Sequence, residues 1–110
     1  MRTNILTPQN FMETLQQERA RVHRNGRPFS LVLFRLTDLS ESEQSVAEEL
    51  FPTITKRVRN IDQVGLYDRE HVGLLLPHTA VEGARKIADE LFKVPSIAAH
   101  ISECQVFAYP

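Results

Sequence analysis

Short apolar runs alternate with amphipathic stretches along the chain, and their spacing predicts seven elements. Thr7-Pro8 is a helix start, a hydroxyl cap followed by a proline whose missing N–H costs nothing in a first turn. Phe11, Leu15 and Val22 recur on one face, and Asn25-Gly26 then Pro28 stop the pattern, so the first helix is predicted over 8–25. "FSLVLFRL" (29–36) is apolar at nearly every position, the signature of a central strand covered on both faces. "TDLSES" is a turn. Ser40 with Glu43 forms a capping box for a second helix, whose stripe is Val46, Ala47, Leu50, Phe51, Ile54 and Val58. Pro52 falls inside that stripe and predicts a kink or break near Phe51. Strands are predicted over 63–67 and 71–76, joined by a charged tip. Thr79 and Glu82 make a second capping box, opening a helix with the stripe Val81, Ala84, Ile87, Ala88, Leu91 and Phe92. "KVPSIAAHISE" reads as a loop or a short weak strand, and 104–109 as the last strand.

The order α-β-α-β-β-α-β contains β-α-β-β-α-β after the first helix. The fold class is therefore α+β: a ferredoxin-like core, an antiparallel sheet with helices on one face, preceded by an extra N-terminal helix and turn over 1–28. A length of 110 residues suits one domain. A net charge of -1 argues against general nucleic-acid or membrane-surface binding, and no apolar run reaches the ~20 residues that span a bilayer. The single cysteine, Cys104, excludes an intrachain disulfide and fits a reducing, cytoplasmic setting. It reads as a small buried strand residue. "MRTNILTPQN" lacks the apolar core of a secretory signal. "CQVFAYP" followed by the end of the chain reads as a domain cut from a longer protein at a linker, with a C-terminal partner domain expected.

Three stretches are similar to a known family: "GRPFSL" leading into the first strand, Arg59-x-x-Asp62 ahead of the hairpin, and "LLPHTAVEGA" leading into the following helix. Over roughly residues 15–91 the chain resembles the GGDEF domain of diguanylate cyclases, which join two GTP molecules into cyclic di-GMP on a β-α-β-β-α-β core. The resemblance fails where the chemistry belongs. At the family's Gly-Gly-(Asp/Glu)-Glu-Phe stand Asp68, Arg69, Glu70, His71 and Val72. The family's glycines let backbone pass close to nucleotide phosphates, where a Cβ intrudes. Only Glu70 keeps its type, as an acid that would ligate Mg²⁺. Arg35 stands where the family's first strand supplies its metal-binding aspartate, and Glu43 and Gln44 stand for its guanine-reading Asn and Asp. One acid beside an arginine is a poor Mg²⁺ site. The resemblance therefore implies a degenerate relative without catalysis, metal or cofactor. Arg35, Asp68, Arg69, Glu70 and His71 would be the vestiges of its active site. A looser, general similarity, of degenerate domains of this kind that end in a strand like "CQVFAYP", is to N-terminal regions of some bacterial sugar transferases of exopolysaccharide synthesis; no sugar-transferase motif lies in these residues.

Arg59 and Asp62 match the family's product-binding inhibitory site. There the arginine forks onto a phosphate and the aspartate takes guanine N–H groups. They equally suit a helix C-terminus, with Asp62 capping a turn. Glu70 and His71 read as exposed turn residues rather than an acid–base pair. His23, His78, His100 and Cys104 lack zinc spacing. The basic stretch Arg19, Arg21, His23, Arg24 and Arg27 is diluted by Glu13 and Glu18, and no tandem aromatics accompany it for base stacking. Two roles stay open: a regulatory or interaction domain serving an attached enzyme, with self-association as a further option, and a cyclic di-GMP receptor. A weak or altered nucleotide cyclase stands behind both.

Overall fold

The computed structural model describes residues 5–37 and 50–109. Its elements are β1 (Ile5–Leu6), α1 (Pro8–Asn25), β2 (Phe29–Leu36), α2 (helical over the described residues 50–55), β3 (Gln63–Asp68), β4 (His71–Pro77), α3 (Val81–Phe92), α4 (Pro95–Ala98) and β5 (Ile101–Tyr109). The sheet order is β1-β3-β4-β2-β5. β1 runs parallel to β3, and every other pairing is antiparallel. The four strands from β3 to β5 have the ferredoxin-like order, with β2 and β4 as the central pair.

Alternation along the strands separates two apolar layers. Val32, Phe34, Leu36, Val64, Val72, Leu74 and Leu76 pack with Leu50, Phe51 and Ile54 of α2 and with Ala84, Ala88 and Leu91 of α3. On the other face Phe29, Leu31, Leu33 and Leu75 pack under Phe11 and Leu15 of α1. The sheet is thus covered on both faces, and α1 supplies the second cover. Its ends are fixed locally. The Thr7 hydroxyl accepts from the Asn10 N–H at 3.2 Å. Gly26, at φ 71, closes the C-terminus by donating its N–H to the Val22 carbonyl at 2.8 Å. Two strand glycines make room for neighbours. A Cβ on Gly73 would lie 2.6 Å from the Phe11 ring, and one on Gly65 would lie 2.5 Å from the Leu6 carbonyl oxygen.

The structure departs from the sequence expectations at several places. β1 was not anticipated; it adds a fifth, parallel strand. "PSIA" forms a one-turn helix rather than a loop or weak strand, with Pro95 in its first turn and Ile97 fully buried beneath it, and β5 begins at Ile101. Residues 50–55, Pro52 among them, are helical; the turn before Pro52, where the expected kink or break near Phe51 would act, lies outside the described residues, as do Ser40, Glu43, Val46 and Ala47. The Thr79–Glu82 capping box is absent. Ala80 is the N-cap without a side-chain bond, because the Thr79 hydroxyl donates instead to the Pro77 carbonyl at 2.9 Å. Cys104 is half-buried rather than buried.

Leu33 retains only 7% exposure beneath α1. Leu33→Ala is expected to cost about 2–5 kcal/mol through lost transfer energy and the cavity left behind. Urea titration checks this, and a loss below ~1 kcal/mol would show that α1 covers the sheet only loosely.

Candidate functional site: the hairpin tip and the Arg59–Asp62 turn

β3 and β4 meet at a two-residue turn, Arg69-Glu70, between the paired residues Asp68 and His71. His78 is the only non-glycine residue at positive φ among the described residues, so this turn needs no left-handed backbone and no glycine. Asp68 organises it. Its Oδ1 accepts the Glu70 N–H at 2.8 Å and lies 2.9 Å from His71 Nδ1. Partial burial opposes ionisation of Asp68. The hydrogen bonds from His71 and from the Glu70 backbone outweigh it and hold the carboxyl below the usual carboxylate range. A register shift between Leu66 and Asp68 adjusts the twist that a turn of this hand would otherwise splay.

Arg35 is the penultimate residue of β2, beside this tip. It is the cross-strand neighbour of His71, its guanidinium lies 3.4 Å from the Glu70 carboxylate, and Leu36 donates its N–H to the Glu70 carbonyl at 2.8 Å. The structure therefore gathers Arg35, Asp68, Glu70 and His71 at one end of the sheet, where each acid already faces a cation or a donor. The Arg35–Glu70 pair is half exposed and contributes little to stability. No group of three or more His, Cys, Asp or Glu that could hold a metal ion occurs among the described residues. Glu43 and Gln44 lie outside them.

Arg59 and Asp62 sit at the other end of the hairpin, before the start of β3. At ~3.3 Å per residue, the six residues of β3 put about 20 Å between the two places. Asp62 Oδ2 accepts the Arg59 backbone N–H at 2.8 Å and Nε at 3.1 Å, and Oδ1 accepts Nη2 at 2.8 Å. Nη2 continues to the Thr79 hydroxyl at 2.7 Å and the Pro77 carbonyl at 3.2 Å. The left-handed His78, at φ 55, turns the chain between these two acceptors. Arg59 is thus a strut between the turn entering β3 and the turn leaving β4. The Asp62 side chain is 0% exposed, whereas that of Arg59 is 46% exposed.

Sequence reasoning missed three groups near these sites. Glu18 is buried on α1 with Arg21 at 3.2 Å. Arg19 donates to the Tyr109 hydroxyl at 3.0 Å, and the Tyr109 ring stacks on Phe29. The Ser30 hydroxyl, buried in β2, donates to the Thr79 carbonyl at 2.7 Å. The partners of Arg19 and Ser30 are remote in sequence, so no local signal announces them, whereas Glu18 and Arg21 stand three residues apart on α1 and their spacing is a readable helical pair. Burial, and then the Asp89 carboxylate, push the Cys104 thiol up to about 11, which makes it a poor nucleophile. No helix among the described residues is long and apolar enough to cross a membrane.

No family model matches the sequence, and no curated protein does. Solved structures do. A DGC protein from Thermotoga maritima superposes with a TM-score of 0.82 at 17% identity, covering 98% of this chain and 84% of that one. The diguanylate cyclase SiaD of Pseudomonas aeruginosa, solved in complex with its activator SiaC, gives 0.73 at 18% identity over 94% of this chain and 46% of its own. The GGDEF domain of DgcB from Caulobacter crescentus, solved in complex with c-di-GMP, gives 0.62 at 15% identity over 96% and 71%. The fold is that of the diguanylate cyclase GGDEF domains. At these identities the likeness concerns the fold alone.

Proposed function

We propose that this chain is a non-catalytic regulatory domain on the diguanylate cyclase fold. The observation that carries the reading is the Arg35–Glu70 contact of 3.4 Å. A cation stands at the position that resembles a metal ligand and faces the one remaining acid. A Mg²⁺ ion would have to displace it and find further carboxylates. The Asp68 carboxylate, which caps the turn, adds negative charge where a triphosphate would need to approach. Incubation with GTP and Mg²⁺ or Mn²⁺ is expected to yield no cyclic di-GMP. Sustained turnover that disappears in Glu70→Ala would overturn the reading and restore the altered-cyclase alternative.

In this reading the domain acts through a protein partner or an attached C-terminal enzyme. SiaD, on the same fold, was solved with a protein activator. The enzyme class we propose is a sugar transferase of exopolysaccharide synthesis, from the general similarity of the chain to N-terminal regions of such enzymes, and the setting is the bacterial cytoplasm. Deleting the domain from such an enzyme is expected to change its regulation and leave its chemistry intact.

The second reading is a cyclic di-GMP receptor acting through Arg59 and Asp62. The half-exposed guanidinium and the ligand of the DgcB structure favour it. Against it, both Asp62 oxygens are already taken by Arg59. Isothermal titration is expected to give no heat at ligand concentrations near ~100 μM, an affinity no better than ~−5.5 kcal/mol. Salt-sensitive binding lost in Arg59→Ala and not restored by Arg59→Lys would establish the receptor instead.

A further inference from the structure

Among the described residues β5 is an outer strand of the sheet, paired only with β2. It runs nine residues, "ISECQVFAY", with a single charged residue, Glu103, and no lysine, arginine or proline. Outer strands ordinarily carry such residues, or a short length, to prevent pairing with another chain. Phe107, pointing to the α1 side, is 44% exposed. On the opposite face Arg85, Ala88, Asp89 and Phe92 of α3 overlook Cys104 and Val106 across an open groove of about 370 Å³. Arg85 and Asp89 stand one helical turn apart. Both are exposed, and the ion pairs found among the described residues engage neither.

We propose that β5 pairs antiparallel with β5 of a second copy about a two-fold axis at Gln105, joining the two sheets and bringing Arg85 of each copy to Asp89 of the other. The register that pairs all nine residues sets Gln105 opposite itself, Cys104 opposite Val106 and Glu103 opposite Phe107. The two Glu103 carboxylates then stand about 13 Å apart along the strands, beyond the reach of serious repulsion in salt. α3 packs on both β2 and β5, so its axis lies about one strand spacing, ~4.8 Å, from the two-fold. The two α3 helices come about 10 Å apart, an ordinary helix-packing separation. Antiparallel helices related by a two-fold present residue 85 of one to residue 89 of the other, and the symmetry makes the ion pair twice. The apolar groove floor is covered in the same step.

Sedimentation of the 110-residue chain is expected to show a dimer at tens of micromolar. Arg85→Glu or Asp89→Arg alone sets like charges across the axis and should weaken it by at least about tenfold, while Arg85→Asp combined with Asp89→Arg should restore it. Both residues are exposed, so these variants keep the fold. Val106→Cys should give a dimer linked through disulfides to the partner's Cys104 under mild oxidation, since directly opposed residues of an antiparallel pair lie within bridging distance. A monomer at ~100 μM overturns the proposal. So does a dimer that neither responds to the charge reversals nor cross-links through Val106→Cys.

Discussion

Phe11→Ala is expected to destabilise the domain by about 3–5 kcal/mol, the cost of emptying a fully buried aromatic site. A domain of this size commonly has 5–15 kcal/mol in total, so the loss is a large share. The ring does more than fill volume. It stands edge-on to Tyr67, with centroids 6.0 Å apart at 86°, and rests where Gly73 has no side chain. It therefore fixes the height of α1 above β3 and β4. A shortened urea midpoint with early loss of amide protection in α1 would report this, because the layer under α1 is the smaller of the two. A second measurement isolates the contact. Gly73→Ala should cost about 1–3 kcal/mol in the native background by overpacking against the ring. In a Phe11→Leu background it should cost measurably less, with a coupling above ~0.5 kcal/mol. Independent effects from the two sites would mean that the ring moves aside freely and that α1 is held elsewhere.

That contact also marks how far the sequence could be read. Both ends of α1 were legible because its signals are local: Thr7-Pro8 at the start and Asn25-Gly26 at the end. β2 was legible from its unbroken apolar run. Gly73 was not, since a glycine within a strand does not announce which ring lies over it. β1 and α4 were too short to generate a period. Pro95 was nevertheless a local start signal, with Ile97 as its single buried residue. Thr79 misled because a capping box supposes that the hydroxyl is free for the helix. Here an arginine 20 residues earlier and a carbonyl two residues earlier claim it. At the hairpin tip the residues that depart from the family pattern were legible by type. Their mutual satisfaction was not, because Arg35 reaches Glu70 only through the β2–β4 register.

Arg59→Ala is the second large effect, expected at about 2–3 kcal/mol of lost stability. The Asp62 carboxylate has no exposure while the guanidinium covers it, and the variant leaves it with only the backbone N–H of residue 59 as a donor among the described contacts. Orphaning one member of a buried pair typically costs 3–5 kcal/mol, and the half-exposed guanidinium reduces that here. Thr79 and Pro77 lose their link to the turn in the same step. Arg59→Lys should recover little, because a single ammonium cannot fork across both Asp62 oxygens and still reach the β4–α3 turn. The informative variant is the double one. If the cost comes from the stranded carboxylate, Arg59→Ala with Asp62→Ala should be more stable than Arg59→Ala alone, because the double variant buries no charge. A residue kept only to meet a ligand behaves otherwise: its removal leaves the denaturation curve in place and changes binding alone. Wild-type stability in Arg59→Ala would therefore return Arg59 to the role of a ligand-facing cation, and with it the receptor reading. A loss relieved by the second substitution identifies the pair as the clasp that joins the two turns at this end of the hairpin.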